Sequence, residues 1–304
     1  MNTLKKHGKR VFSADKFVFH LIGYVLLAGF AFVCLAPFYL VAVNSFMDEG
    51  TIIREGFSFY PRVFSLTGYS MLLKNPQTII NSYGITVLVT VLGTVLALLM
   101  VTMTGFVLSR TDFHFRNFMS FFFYFTTLFN GGLVPYYLLC TRTLHFTNKV
   151  YALILPMLFS VWNMIIAKNF FKSIPFALVE SAKIDGANDL TIYFKLILPI
   201  SMPLLATIGL FTALGYWNDW YNCMLFINNM HSELWTLQYY LQNMLNSAQA
   251  LQRVAEHSGV AFKTVPLESM KLAMTVVATG PMLLAYPFVQ KYFVKGLTIG
   301  AVKG

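Results

Sequence analysis

Six apolar runs, at about 17–46, 79–108, 118–139, 148–170, 201–227 and 272–294, constrain what this chain can fold into more than any other feature. Each is long enough for a helix, rising about 1.5 Å per residue, to cross a hydrocarbon layer of roughly 30 Å. None shows the period-two alternation of a barrel strand. Lipid offers no partner to backbone N–H and C=O groups, so such runs must be helical. The fold class that follows is all-α: a polytopic membrane protein with six transmembrane helices. Composition agrees, because only 11% of the residues are charged and 57% are hydrophobic, against about 25% charged in an ordinary soluble domain.

Charge then orients the spans. With the N-terminus inside, the segments 1–16, 109–117, 168–199 and 291–304 hold 14 Lys and Arg, and the opposite segments 47–78, 140–149 and 228–271 hold 8. Cytoplasmic loops carry the excess of Lys and Arg, so both termini are expected in the cytoplasm. Topology alone accounts for the net charge of +10, and no nucleic acid is needed to explain it. The basic start, MNTLKKHGKR, precedes a run too long for the 7 to 15 or so apolar residues of a signal peptide, so it reads as a retained first span.

Several kinds of chemistry find no residues to support them. Cys34, Cys140 and Cys223 form no CxxC pair, and the six histidines are scattered without an i, i+4 pair, so neither a disulfide framework nor a zinc site is indicated. No GxxxxGK[ST] loop is present to cradle a nucleotide phosphate. The chain is therefore not expected to hydrolyse ATP or to hold a cofactor of its own. No internal repeat appears. The organisation read from the sequence is an N-terminal part over 1–78 (tail, first span and outer loop), a main body over 79–294, and a C-terminal tail over 295–304. In the outer segment 228–271, Leu234, Leu237, Leu241, Met244, Leu245 and Leu251 recur at helical spacing. They predict a helix outside the membrane, either a lid over the bundle or a docking surface for an external partner.

The segment ESAKIDGANDLTIYFKLILP, 180–199, breaks the apolar pattern with three acids and two lysines. Ser173 and Pro175 suit a helix start. Asp185 and Gly186 suit its end. Asn188 or Asp189 suits the cap of a second helix, whose Leu190, Tyr193, Phe194, Ile197 and Leu198 would form one apolar stripe. Two short helices set at an angle on the cytoplasmic face are predicted. Their small residues, Ser181, Ala182, Gly186 and Ala187, would let something approach closely.

This segment resembles the EAA loop of the membrane subunits of bacterial binding-protein-dependent ABC importers. The match falls on Glu180, Ala182, Gly186, Leu198 and Pro199, with Ser181 in place of Ala and Leu196 in place of Ile. NSYGITVLVTVLGTVLALLMVTMTGFVLSR, NGGLVPYYLL, YWNDWYN and QKYFVKGLTIGAVKG are similar to the carbohydrate branch of that family, namely the smaller maltose-permease subunit and the complex-polysaccharide permeases. The resemblance implies a type I ABC importer transmembrane fold in a bacterial cell membrane. It implies a heterodimer with a second permease subunit, and two ATPase subunits that bind ATP and Mg. An external solute-binding protein would deliver the oligosaccharide. The 172–199 loop would then be the coupling element, with Glu180, Ser181, Ala182, Asp185, Gly186 and Ala187 facing the ATPase. The tail with Lys295 and Lys303 would reach between the ATPase subunits.

YWNDWYN, 216–222, sets polar residues deep in the fifth run. Such groups face a bundle interior or water rather than lipid. On a continuous helix Asn218 and Asn222 share one face, and Trp217 and Tyr221 the next. These four either line the substrate pathway or join neighbouring spans by hydrogen bonds, while Asp219 packs structurally. A membrane-embedded enzyme acting on lipid-linked sugars would have to use Asp219 with Trp217, Asn218 and Trp220. It lacks the second carboxylate or metal cluster that such chemistry needs.

Overall fold

The structure, a computed structural model, describes residues 14–258 and 266–301. Among them no strand occurs beyond one isolated bridge, Met47 to Phe64. The helices are α1 (Ala14–Asn44), α2 (Glu49–Glu55), α3 (Thr67–Leu72), α4 (Pro76–Ser109), α5 (Arg116–Leu128), α6 (Leu133–Leu138), α7 (Tyr151–Ile154), α8 (Val161–Lys172), α9 (Ala177–Ile184), α10 (Asp189–Ile192), α11 (Leu198–Ile200), α12 (Met202–Trp217), α13 (Tyr221–Phe226), α14 (Leu237–Ser258) and α15 (Leu267–Ala301). The chain divides into two compact units: the residues up to Met71 together with Pro266–Val276, and the remainder from Leu72 onward.

In the first unit, none of the most apolar 18-residue window of α1 is buried within the chain. Order begins where α1 ends. The buried Asn44 donates to the Ser58 carbonyl at 2.9 Å and accepts from the Ser58 N–H at 3.0 Å. Asp48 caps α2 by accepting from the Thr51 N–H at 3.2 Å. The Glu49 carboxylate accepts the backbone N–H groups of Glu268 and Ser269 at 2.9 and 2.8 Å. A negative group is thereby placed where the first turn of α15 has unsatisfied donors.

The second unit is organised by α4. Pro76 sits at its first turn, where a missing N–H costs nothing. A stripe of mostly small buried residues, Ser82, Thr86, Gly93, Ala97, Val101 and Gly105, runs down one side at four-residue spacing, interrupted only at Val89. Small residues allow close helix approach in lipid, where apolar burial no longer drives association. A Cβ on Gly93 would lie 2.5 Å from the Tyr216 ring of α12, and one on Gly105 would lie 2.8 Å from Ala167 of α8. Hydrogen bonds complete the seams: Tyr216 Oη donates to the Ile154 carbonyl at 2.8 Å, and Tyr83 Oη to the Val277 carbonyl at 2.7 Å. α14 covers one end of this unit, burying Leu237, Tyr240, Leu241 and Ala248, and its Leu237 N–H donates to Thr86 Oγ1 at 2.8 Å.

The six plain spanning helices expected from the apolar runs are corrected in three places. Two described helices meet the length and hydropathy of a span without interruption, Val18–Asn44 and Pro76–Ser109. The third run breaks at Asn130-Gly131-Gly132, between α5 and α6, a strong turn signal inside an otherwise apolar stretch. The fourth bends by 54° between Tyr151–Met157 and Val161–Lys172, where the Ser160 side chain caps α8. The fifth breaks after Trp217. The sixth lies within α15, which carries Pro281 and Pro287. Of the C-terminal tail, 302–304 lie outside the described residues, as does the basic stretch 1–13.

Candidate functional site

Two places gather polar residues that the bundle does not need for burial: the 172–199 loop and the break at 218–220. In the loop, α8 runs on to Lys172 and Ser173 closes it, donating its hydroxyl back to the Phe170 carbonyl at 2.7 Å. Ser173 therefore does not start α9, as the sequence suggested. α9 begins at Ala177 after a turn through Pro175 and Phe176.

Its end explains the motif. Asp185 is the C-cap, and Gly186 follows with φ +82°. The Ala187 N–H bonds the Ala182 carbonyl at 2.9 Å and the Gly186 N–H bonds the Lys183 carbonyl at 3.0 Å. This pair of bonds is a Schellman motif, in which the residue after the cap must be left-handed and the residue beyond it touches the helix's own last turn. Ala182 and Ala187 pack together onto the core of Val101, Phe106, Met164, Phe171, Val179 and Tyr193. The two alanines are half-buried and pack inward at the foot of the turn.

Glu180, Ser181, Asp185 and Gly186 remain on the exposed side. Among the described residues the carboxylates of Glu180 and Asp185 have no ion-pair partner. Ile184, between them and the turn, is 86% exposed. Sequence reasoning passed over Ile184; the available signal was an isoleucine among the charges on the outer side of a short helix.

α10 continues the element. Asn188 caps it by accepting from the Thr191 N–H at 2.7 Å. The predicted stripe is corrected here as well: Ile192, Tyr193 and Ile197 are buried, whereas Leu190 and Phe194 are exposed. Tyr193–Ile197 forms a π turn, and its wider spacing rotates the face that a regular helix would bury. Tyr193 Oη meets Thr102 Oγ1 of α4 at 2.7 Å. The asparagine turn of α9 and α10 is then clamped from the α4–α5 connection. Arg110 holds both oxygens of Asp112 at 2.8 and 2.5 Å and reaches Asp189 at 2.6 Å, while Lys183 reaches Asp112 at 3.2 Å. The Arg110 guanidinium, with Lys183 second, keeps the Asp112 carboxyl well below the usual carboxylate range although burial opposes it. Arg110 also lies over the Phe106 ring, 5.7 Å from its centre.

At the second place, α12 ends at Trp217 and α13 starts at Tyr221. The shared helix face expected for Asn218 and Asn222 does not exist. Asp219 turns the chain: its carboxylate accepts the Asn222 N–H at 3.2 Å and the Asn222 side-chain amide at 3.0 Å, and its carbonyl accepts from Thr236 Oγ1 at 3.0 Å. Trp217 is buried, with Nε1 donating to the Ala278 carbonyl at 2.9 Å, and Asn222 is buried too. Asn218, Trp220 and Tyr221 are exposed. The break thus sorts the predicted pathway residues into two inward and two outward ones. It assembles no second carboxylate beside Asp219, and among the described residues no group of His, Cys, Asp and Glu could hold a metal.

A bundle of broken spans with a capped, clamped and outward-facing element at one end is the architecture of a transporter's membrane subunit. The chain belongs to the permease family of carbohydrate ABC importers. It is 39% identical to the polygalacturonan/rhamnogalacturonan transport system permease protein YtcP of Bacillus subtilis (strain 168), over 94% of this chain and 99% of that one. It is 36% identical to protein LplC of the same organism, over 94% and 95%. Among solved structures it matches a bacterial ABC transporter involved in the import of the acidic polysaccharide alginate, with a TM-score of 0.74 and 28% identity over 94% of this chain and 100% of that one. No protein-family model matches the chain. The chain is a multi-pass transport subunit, and the reading as an enzyme on lipid-linked sugars finds no support in these relatives.

Proposed function

We propose that this permease forms half of the translocation pathway for an oligosaccharide or polysaccharide fragment, which an external solute-binding protein delivers. A second, homologous permease supplies the other half, and two cytoplasmic ATPase subunits bind ATP and Mg. The chain sits in a bacterial cell membrane with both termini in the cytoplasm. One observation carries this reading: α9 is anchored through Val179, Ala182 and Ala187, yet presents Glu180 and Asp185, without an ion pair among the described residues, and the bare Ile184 outward. An apolar knob between two free carboxylates suits a docking site in another protein, since large apolar side chains anchor interfaces and surrounding charges give them specificity. Glu180, Ser181, Asp185 and Gly186 contact the ATPase, while Ala182 and Ala187 hold the turn that presents them.

Orientation can be tested directly. A Ser181→Cys variant, on an exposed residue, should resist a membrane-impermeant maleimide in intact cells and react after permeabilisation. Equal labelling in intact cells would reverse the topology.

For the pathway, the exposed pair at the break, Asn218 and Tyr221, offers an amide and a ring to sugar hydroxyls and faces. Trp217 and Asn222 support it from within. Asn218→Ala with Tyr221→Ala should leave assembly and ATP hydrolysis intact and lower uptake of some oligosaccharides in a panel that includes polygalacturonan and alginate fragments. Loss of about one sugar hydrogen bond and one stacking contact corresponds to roughly tenfold to a hundredfold in uptake at limiting substrate. Unchanged rates and preference across the panel would remove the pathway role.

A further inference from the structure

Behind α9 lies a cavity of about 530 Å³ whose charged lining is entirely positive. Arg116, Lys168 and Lys172 open into it with Arg110, and no aspartate or glutamate lines it. The contrast with the neighbouring clamp is the informative point. Arg110 has its charge answered by Asp112 and Asp189. Arg116, Lys168 and Lys172 have no carboxylate within ion-pair distance among the described residues. The Arg116 side chain donates to the Arg110 carbonyl at 3.3 Å and that of Lys168 to the Ser120 hydroxyl at 2.6 Å. Lys168 and Lys172 stand one turn apart on the last part of α8, and Lys168 feels the charge of both Lys172 and Arg116. Arg116 is also the first residue of the 13-residue α5, whose N-cap Phe115 offers no side-chain acceptor. The free N–H groups of that helix end add to the same positive potential.

Like charges brought together without a counter-charge repel, and a partly enclosed site screens them less than open solvent does. Such a cavity favours a negatively charged group. The rest of its lining combines the polar Ser109, Thr111, Asn117 and Ser173 with an apolar wall that includes the part-exposed Ile174, Pro175 and Phe176. A soluble anion would leave that wall wet. A phosphodiester attached to a glycerol and acyl chains would use both halves.

We infer that this cavity binds the phosphate group of an anionic phospholipid. Basic pockets between spanning helices on the cytoplasmic side take such headgroups. The inference rests on the proposed function only in assigning the lipid to the inner leaflet. Because Ser173, Pro175, Phe176 and Val179 form one side of the cavity, a bound headgroup braces the turn that leads into α9 and the residue that anchors it. Lipid composition would then bear on the stiffness of the element that faces the ATPase.

The test uses the assembled importer in phosphatidylcholine nanodiscs containing either spin-labelled phosphatidylglycerol or spin-labelled phosphatidylcholine, and reads the fraction of immobilised label. The native complex should prefer phosphatidylglycerol. Each Lys or Arg charge near an anionic lipid surface is worth about fivefold in affinity, so Arg116→Gln with Lys172→Gln should lower the preference by roughly 25-fold. The charge-preserving pair Arg116→Lys with Lys172→Arg should retain most of it, which separates lost charge from misfolding. An undiminished preference in the Gln pair would overturn the site. No preference in the native complex would also overturn it, and would indicate that an acidic partner side chain fills the cavity. Displacement of the label by millimolar inorganic phosphate would overturn the lipid assignment in favour of a soluble phosphate. None of these readings depends on transport, so failure here leaves the proposed function standing.

Discussion

Gly93→Leu should prevent the chain from accumulating as a folded subunit, the largest effect expected of any single substitution in the bundle. Even a lone Cβ at this position would fall 2.5 to 2.8 Å from three atoms of the Tyr216 ring. The ring cannot swing away cheaply, because its hydroxyl is bonded to the Ile154 carbonyl and the side chain is buried. Overpacking of well-packed interiors costs about 1–3 kcal/mol per site, so Gly93→Ala should destabilise by about that amount and Gly93→Leu by more. Thermal unfolding of the detergent-solubilised chain provides the measurement. Combining Gly93→Ala with Tyr216→Leu should recover part of the loss, since the second change removes the obstructing ring, whereas Tyr216→Phe keeps the ring and should recover less. Additive losses in the Gly93→Ala, Tyr216→Leu pair would show that the clash is not the cause.

Gly186→Val should abolish ATP-driven uptake while leaving insertion and bundle stability nearly unchanged. The position has φ +82°, and nothing among the described residues lies within 4 Å of where a Cβ would stand. The penalty is therefore one of backbone conformation and not of space. It amounts to about 1–2 kcal/mol for an ordinary residue and more for a β-branched one. Valine would shift the turn out of the left-handed region, break the two bonds of the Schellman motif and swing Glu180, Ile184 and Asp185 away from their present arrangement. Asparagine tolerates this conformation, so Gly186→Asn should keep most of the uptake although its side chain reaches further from the backbone than that of valine. Uptake and co-purification of the ATPase subunits should fall together in the valine variant. If Gly186→Asn and Gly186→Val fail equally, bulk at a partner surface and not backbone strain governs the site.

The apolar runs made the fold class legible, and the loop motif made the helix end at Asp185 and the left-handed turn at Gly186 legible. What stayed hidden was the direction in which residues face. Small size at Ala182 and Ala187 looks the same in sequence whether it makes room for a partner or packs against the helix's own last turn. Around the wider turn at Tyr193–Ile197 the buried stripe kept Tyr193 and Ile197 but exchanged Leu190 and Phe194 for Ile192, and hydropathy does not register such a shift. At 216–222 the apolar run reads as continuous because the residues that end α12 are themselves bulky. Only the Asp219 carboxylate, positioned to accept from Asn222, signals the break, and an acid in a span reads equally well as a functional group. The clamp of Arg110 on Asp112 and Asp189 joins residues 79 positions apart, a separation that spacing arguments do not reach.

The bare flank of α1 has a bearing on how such a chain changes over generations. Because none of its most apolar window is buried against the rest of the chain, a mutation there disturbs no buried contact and is filtered by little more than length and oiliness. α4 is under the opposite regime, since at Gly93 and Gly105 nearly every replacement collides with a neighbour. Random substitution libraries of the two helices should therefore diverge: broad tolerance of apolar exchanges along α1, and near silence at the glycine positions of α4. Within one polypeptide, the first helix is free to drift toward whatever surrounds it, while the fourth preserves the shape that the others pack against.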